Sequence, residues 1–160
     1  MKSKTITTTR FNNDTINQNK SYTQRTNING CIYGTPIKMK SNIPLESNVY
    51  VIEMNNQTNK IEGIGIVNNR ILVDKNYRIY NDMDYNRYIY KGNYRIDSSR
   101  INDNYNKKVL NVLEQLLFKG ERHCKRAQGI TQLSEWILNN KHGFDFVKCF
   151  DNMFEKYITT

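Results

Sequence analysis

The spacing of apolar side chains changes once along the chain, near residue 106, and that change limits the architectures open to it. Before it, apolar residues come in short runs broken by turn formers. Val49-Tyr50-Val51-Ile52-Glu53-Met54 is β-branched and aromatic, and Asn55 to Asn59 supplies turn residues. Lys60-Ile61-Glu62-Gly63-Ile64-Gly65-Ile66-Val67 follows. The pair predicts a hairpin with Ile61, Ile64, Ile66 and Val67 as core candidates. Gly63 and Gly65 share one face of their strand, which marks a bulge, a barrel bend or close approach by another group. No third glycine and no helix follow, so this is not a dinucleotide fingerprint. After the turn Asn68-Asn69 and the run Arg70-Ile71-Leu72-Val73, a second hairpin is expected. It comprises Tyr88-Ile89-Tyr90, the turn Lys91-Gly92-Asn93, and Tyr94-Arg95-Ile96.

After Asn106 the period becomes helical. Val109, Leu110, Val112, Leu113, Leu116 and Leu117 recur at helical spacing, and Gly120 stands where a helix stops. A second helix is expected from Thr131 as N-cap, with Leu133, Trp136 and Ile137 as its apolar face. A third is expected over 144–157, with Phe146, Val147, Phe150, Met153, Phe154 and Tyr157 inward. Strands followed by helices predict an α+β fold: a small, partly closed β-barrel, then three C-terminal helices. One domain is expected over 29–160, mainly β over 29–106 and helical over 107–160. Residues 1–28 are rich in Thr, Asn, Ser and Gln, and Ile6, Phe11 and Ile16 follow no period. They read as a flexible tail, with Lys2, Lys4, Arg10, Lys20 and Arg25 against Asp14 alone.

Composition narrows the function. No apolar run approaches the roughly 18 residues of a membrane span, and the first ten residues lack the apolar stretch of a secretory signal. Three cysteines at irregular spacing build no disulfide framework, which suggests a reducing compartment. The net charge of +9 draws the chain toward polyanions. Asn, Ile, Lys and Tyr are abundant, as A- and T-rich codons produce, so Tyr and Asn counts alone carry little.

Two stretches concentrate the charge. The first is the loop Lys119-Gly120-Glu121-Arg122-His123-Cys124-Lys125-Arg126-Ala127-Gln128-Gly129-Ile130-Thr131. An exposed loop needs polar residues, but not Lys119, Arg122, Lys125 and Arg126 between two glycines. Leading into a helix start, it is expected to bind phosphate, with Gln128 toward a base or sugar. The second stretch runs from Tyr77 to Arg100, and its candidates are Arg87, Tyr88, Tyr90, Tyr94 and Arg95. Exposed rings stack on bases for roughly 1–3 kcal/mol each while cations hold the backbone. Tyr is equally a favoured strand residue, and half of these rings are expected in the core or across strands.

Enzyme signatures are weak. His123 and Cys124 are adjacent but point apart, and no third orienting group can be named. His142, Cys149 and Cys31 complete no zinc spacing. There is no P-loop, HExxH or GxSxG. No catalytic residue, metal or cofactor is expected.

The segment Val49-Tyr50-Val51-Ile52-Glu53-Met54, a turn, then Ile61-Glu62-Gly63-Ile64-Gly65-Ile66-Val67 resembles the PUA-like superfamily, the barrels that include EVE, YTH and ASCH domains. Tyr85-Asn86-Arg87-Tyr88-Ile89-Tyr90-Lys91-Gly92 is similar to the later barrel strands. The resemblance covers at most residues 30–100 and implies a barrel that binds RNA or DNA. The ASCH signature G-x-K-x-x-E-x-R is absent and Trp136 lies outside the strands, so no cage residues carry over. The whole chain resembles small proteins of large DNA viruses, which implies an intracellular setting: host cytoplasm or nucleus, or the virion. The expected function is nucleic-acid binding, DNA or RNA, away from membranes. The alternative is a structural or interaction component that meets an acidic protein.

Overall fold

The computed structural model describes residues 4–158. It is an α+β fold in three layers. A five-stranded mixed sheet lies in the middle, in the order β6-β4-β3-β1-β7. Its strands are β1 (Thr5–Phe11), β3 (Asn48–Asn55), β4 (Lys60–Asn68), β6 (Tyr94–Asp97) and β7 (Thr131–Gln132). β1 runs parallel to β3, and the other pairs are antiparallel. A two-stranded ribbon of β2 (Cys31–Thr35) and β5 (Tyr88–Gly92) covers one face together with α1 (Asn13–Arg25). The helices α2 (Asn104–Phe118), α3 (Glu135–Leu138) and α4 (Phe146–Ile158) cover the other.

Strand alternation explains the layering. On β3, Tyr50, Ile52 and Met54 join Leu113, Leu117, Phe150 and Met153 in the helical core. Val49 and Val51 point the opposite way, toward Ile32, Tyr33, Ile89 and Tyr90 of the ribbon. A strand covered on both faces must be apolar throughout, as this one nearly is. The ribbon lies close on β4. A Cβ on Gly92 would collide with the Ile66 carbonyl, and one on Gly65 with the Tyr33 hydroxyl. The close-approach reading of Gly65 therefore holds. The hydrogen bonding joins the strands into two sheets, with no closed barrel among the described residues.

Three expectations need correction. Residues 5–25 are not a tail: they form β1 and α1, while residues 1–3 lie outside the described residues. Thr7, Thr8 and Thr9 are buried, and the Thr7 hydroxyl donates to the Tyr50 carbonyl at 2.7 Å. Threonine hydroxyls satisfied this way let a polar stretch serve as a covered strand. A reciprocal cap between Asn12 and Thr15 starts α1, and Ile16, Asn19 and Tyr22 are its buried face. The second hairpin does not form. β5 pairs with β2 and β6 with β4, because the chain crosses from ribbon to sheet at Gly92. Finally, Thr131 caps no helix; it pairs with Thr8 in β7, and the helix that follows is one turn. The basic loop thus runs from helix to strand.

Candidate nucleic-acid interface

The loop between α2 and β7 is held from below by Arg10 of β1. One guanidinium nitrogen, Nη1, donates to the Cys124 carbonyl at 3.1 Å. The other, Nη2, donates to the Gly129 carbonyl at 2.6 Å and to Thr131 Oγ1 at 3.0 Å. Both also bond Thr8. No carboxylate lies within ion-pair distance of Arg10 among the described residues. Burial pushes its pKa down to about 10, against a smaller opposing effect of Cys124. The Cys124 amide donates to the Leu117 carbonyl at 2.7 Å, which closes the other end of the loop onto α2. Gly129 has φ +75°, and a Cβ there would come within 2.9 Å of Ile37 Cγ1, so the turn favours glycine.

Anchored this way, the loop presents its cations without neutralising them. Lys119, Arg122, Lys125 and Arg126 pair with no carboxylate among the described residues. Lys119, Arg126 and Gln128 are exposed. The Lys125 ammonium donates to Asn59 Oδ1 at 2.8 Å, and the Arg122 guanidinium lies 5.4 Å from the Trp136 ring centroid.

Beside the loop is a cleft of about 330 Å³. Arg10, Asn12, Asn56, Tyr80, Tyr85 and Gln128 line it. Tyr85 is 42% exposed and meets Tyr80 edge-on at 6.4 Å. Two buried polar atoms here have no partner among the described residues: Arg10 Nε, a donor, and Asn56 Oδ1, an acceptor. Buried unsatisfied groups are uncommon and call for an explanation. The N-terminus of α1 adds no free anion site, because Asn12, Thr15 and Gln57 already bond its first amides and Asp14 sits in its first turn.

The tyrosine–arginine stretch is divided differently. Tyr90 is 1% exposed, and its hydroxyl accepts from the Met39 amide at 3.0 Å. Arg95 grips buried Glu53 through Nε at 2.8 Å and Nη2 at 2.7 Å, and meets Asp97 at 3.0 Å. Burial would lower its pKa, but Glu53 and Asp97 hold it above the ordinary value. Glu53, Gly63 and Asp97 form one row across β3, β4 and β6. A Cβ on Gly63 would stand 2.7 Å from Arg95 Nη2, so the glycine makes room for the guanidinium. Tyr90 and Arg95 are therefore internal, not surface contacts. Arg87 is exposed but bonds Asp84 at 3.1 Å. Tyr88 is half-buried beneath Lys38, whose ammonium is 5.5 Å from the ring centroid. Tyr94 is half-exposed, on β6 rather than beside Tyr88.

Of the cleft residues, Arg10 reads in sequence only as a tail cation and Tyr85 only as one ring of the tyrosine–arginine stretch, while Asn56 reads as a turn residue. Arg10 carried one signal, a lone cation ending a β-branched run. His123 Nδ1 accepts from the Lys125 amide, and Cys124 Sγ lies 3.5 Å from Ser134 Oγ, so each side chain has a partner other than its neighbour. Burial pushes the thiol of Cys31 up to about 12 and that of Cys149 up to about 11. Among the described residues no three His, Cys, Asp or Glu side chains are grouped to hold a metal ion, and no helix is long and apolar enough to cross a membrane. Compared with protein-family models, curated proteins and solved structures, the chain matches none.

Proposed function

We propose that the protein binds single-stranded nucleic acid, DNA or RNA, across the loop between α2 and β7. Phosphates meet Lys119, Arg122, Lys125 and Arg126, and one base enters the adjoining cleft against Tyr85. The observation that carries this reading is uncompensated positive charge on a loop held by Arg10. The cleft is at the small end of ligand sites, which suits one unpaired base and not a duplex. Arg10 and Asn56 line the cleft, and each has a buried polar atom, Nε and Oδ1, without a partner among the described residues. The resemblance of residues 49–67 to PUA-like nucleic-acid binders points the same way.

The test is anisotropy of labelled single-stranded DNA, single-stranded RNA and duplex DNA over a salt series. Binding to single strands is expected to weaken with salt at a log–log slope of about −2 to −3, near −0.7 per phosphate contacted. Changing Arg122, Lys125 and Arg126 together to Ala brings the slope toward about −0.7. Salt-independent binding, or none to any of the three, overturns the reading.

A further inference from the structure

Helix α2 carries two apolar stripes, one buried in the core and one that the core covers only in part. Leu110, Leu113 and Leu117 are buried against the sheet and α4. Tyr105, Val109, Val112 and Leu116 recur at spacings of four, three and four and line a separate groove of about 860 Å³. Its opposite wall is Trp136, Ile137, Phe144 and Phe146. Tyr105 is 60% and Val112 52% exposed, while Val109 is buried at the groove floor and Leu116 partly buried. The polar members of the lining are cationic or neutral: Lys108, Arg122, Lys141 and His142, with asparagines and no carboxylate. None of the three Lys and Arg side chains is within ion-pair distance of an acid among the described residues.

We infer that this groove docks an acidic amphipathic helix of a protein partner. The four-three-four spacing is the seam that receives another helix, whose apolar residues repeat at the same interval. The stripe from Tyr105 to Leu116 spans about 17 Å at 1.5 Å per residue, room for about three turns of a partner. The rim selects the partner's charge. Carboxylates flanking its apolar seam meet Lys108, Arg122 and Lys141, which also steers encounter. A second copy of this chain in a two-fold arrangement would bring those same cations together, which disfavours self-association. The groove borders the nucleic-acid loop at Arg122 but shares no lining residue with the cleft proposed to receive a base.

The experiment is selection from a displayed library of 16-residue peptides against the full chain. Binders are expected to share an apolar seam at four-three spacing with Glu or Asp on its flanks. Val112→Glu, at an exposed helical position, should weaken them at least about tenfold, as removal of a central interface anchor does. Lys108→Glu with Lys141→Glu should weaken them comparably and accept Lys-flanked versions of the same peptides. Neither change should shift single-stranded DNA affinity or the melting temperature, which separates this inference from the proposed function. The inference is overturned by absence of binders, by binders without the acidic flanks, or by binders indifferent to both variants. Two other results overturn it too: displacement of the peptides by dodecanoate at lower concentration than any peptide requires, or sedimentation showing a dimer that Val112→Glu dissolves.

Discussion

The 119–130 loop and the 77–100 stretch read alike as sequence, both dense in cations, yet folding treats them in opposite ways. Arg95 is drawn inward to Glu53, which lies two strands away, and Arg87 meets Asp84 within its own turn. The loop has Glu121 as its one acid, and its cations form no ion pair among the described residues. Positive charge in a sequence becomes positive potential at a surface only where the fold brings no carboxylate to it. What decides the matter is sheet register. The row Glu53, Gly63, Asp97 sets two acids around a missing side chain, and Arg95 fills that space. The loop's support is itself a cation, Arg10, which bonds carbonyl oxygens and leaves the loop's charge intact.

The contrast is broken most directly at Arg95. Arg95→Ala leaves Glu53 buried with the Tyr33 hydroxyl as its remaining side-chain partner. Loss of one member of a buried pair costs about 3–5 kcal/mol. Urea unfolding should show that loss, while the folded variant keeps its oligonucleotide affinity. A loss under about 1 kcal/mol would mean that Arg95 is a surface residue in effect. Arg10→Met comes next. It keeps much of the aliphatic bulk but removes the fork that holds Cys124, Gly129 and Thr131. Hydrogen bonds from a charged donor contribute about 1.5–3 kcal/mol net, so a loss near 2 kcal/mol is expected. Trypsin should cut faster at Lys119, Arg122, Lys125 and Arg126, and oligonucleotide affinity should fall although no exposed cation is removed. Arg10→Lys should not rescue either, since an ammonium cannot reproduce the planar fork. Unchanged proteolysis would show that the Cys124–Leu117 bond alone orders the loop.

Legibility followed the range of the forces involved. The β3–β4 hairpin, α2 and α4 rest on local periodicity, and all three stand within a few residues of where the pattern put them. β1 was hidden because its Thr side chains look polar, and the hydroxyls of Thr7 and Thr8 are satisfied only once β3 and β7 lie alongside. The separation of β5 from β6 depends on Gly92 passing over Ile66, a contact no local pattern encodes. The same holds at the candidate site. Four loop cations were visible as a cluster, whereas Arg10 reaches them from more than a hundred residues away and Asn56 from a turn. Tyr90 misled because alternation identifies a face but not which face is covered.

The smallest expected effect concerns pH. Burial would raise the Asp97 pKa, but Ser99 and Arg95 more than offset it and hold the carboxyl below its ordinary value. Asp103 is held down likewise, by Tyr157 and Asn106 against burial, with Lys156 adding to the effect. A carboxyl depressed in the folded state stabilises fully above its unfolded value of about 3.9 and ceases to do so as pH falls through the folded value. Stability should therefore be flat from pH 8 to about 5 and decline below about pH 4. Asp97→Asn removes one titrating group while an amide oxygen can still accept from the Ser99 amide, as the carboxylate does at 3.1 Å. It should lower stability at pH 7 by about 1 kcal/mol, the scale of one partly exposed charged pair, and shrink the gap to wild type at pH 3. Chemical denaturation at the two pH values reads both numbers. The loop offers no such acid, so a variant such as Arg126→Ala should leave the stability–pH curve of the wild type unchanged. If Arg126→Ala flattened it instead, a carboxylate would be neutralising the loop after all, and the difference between the two basic regions would vanish.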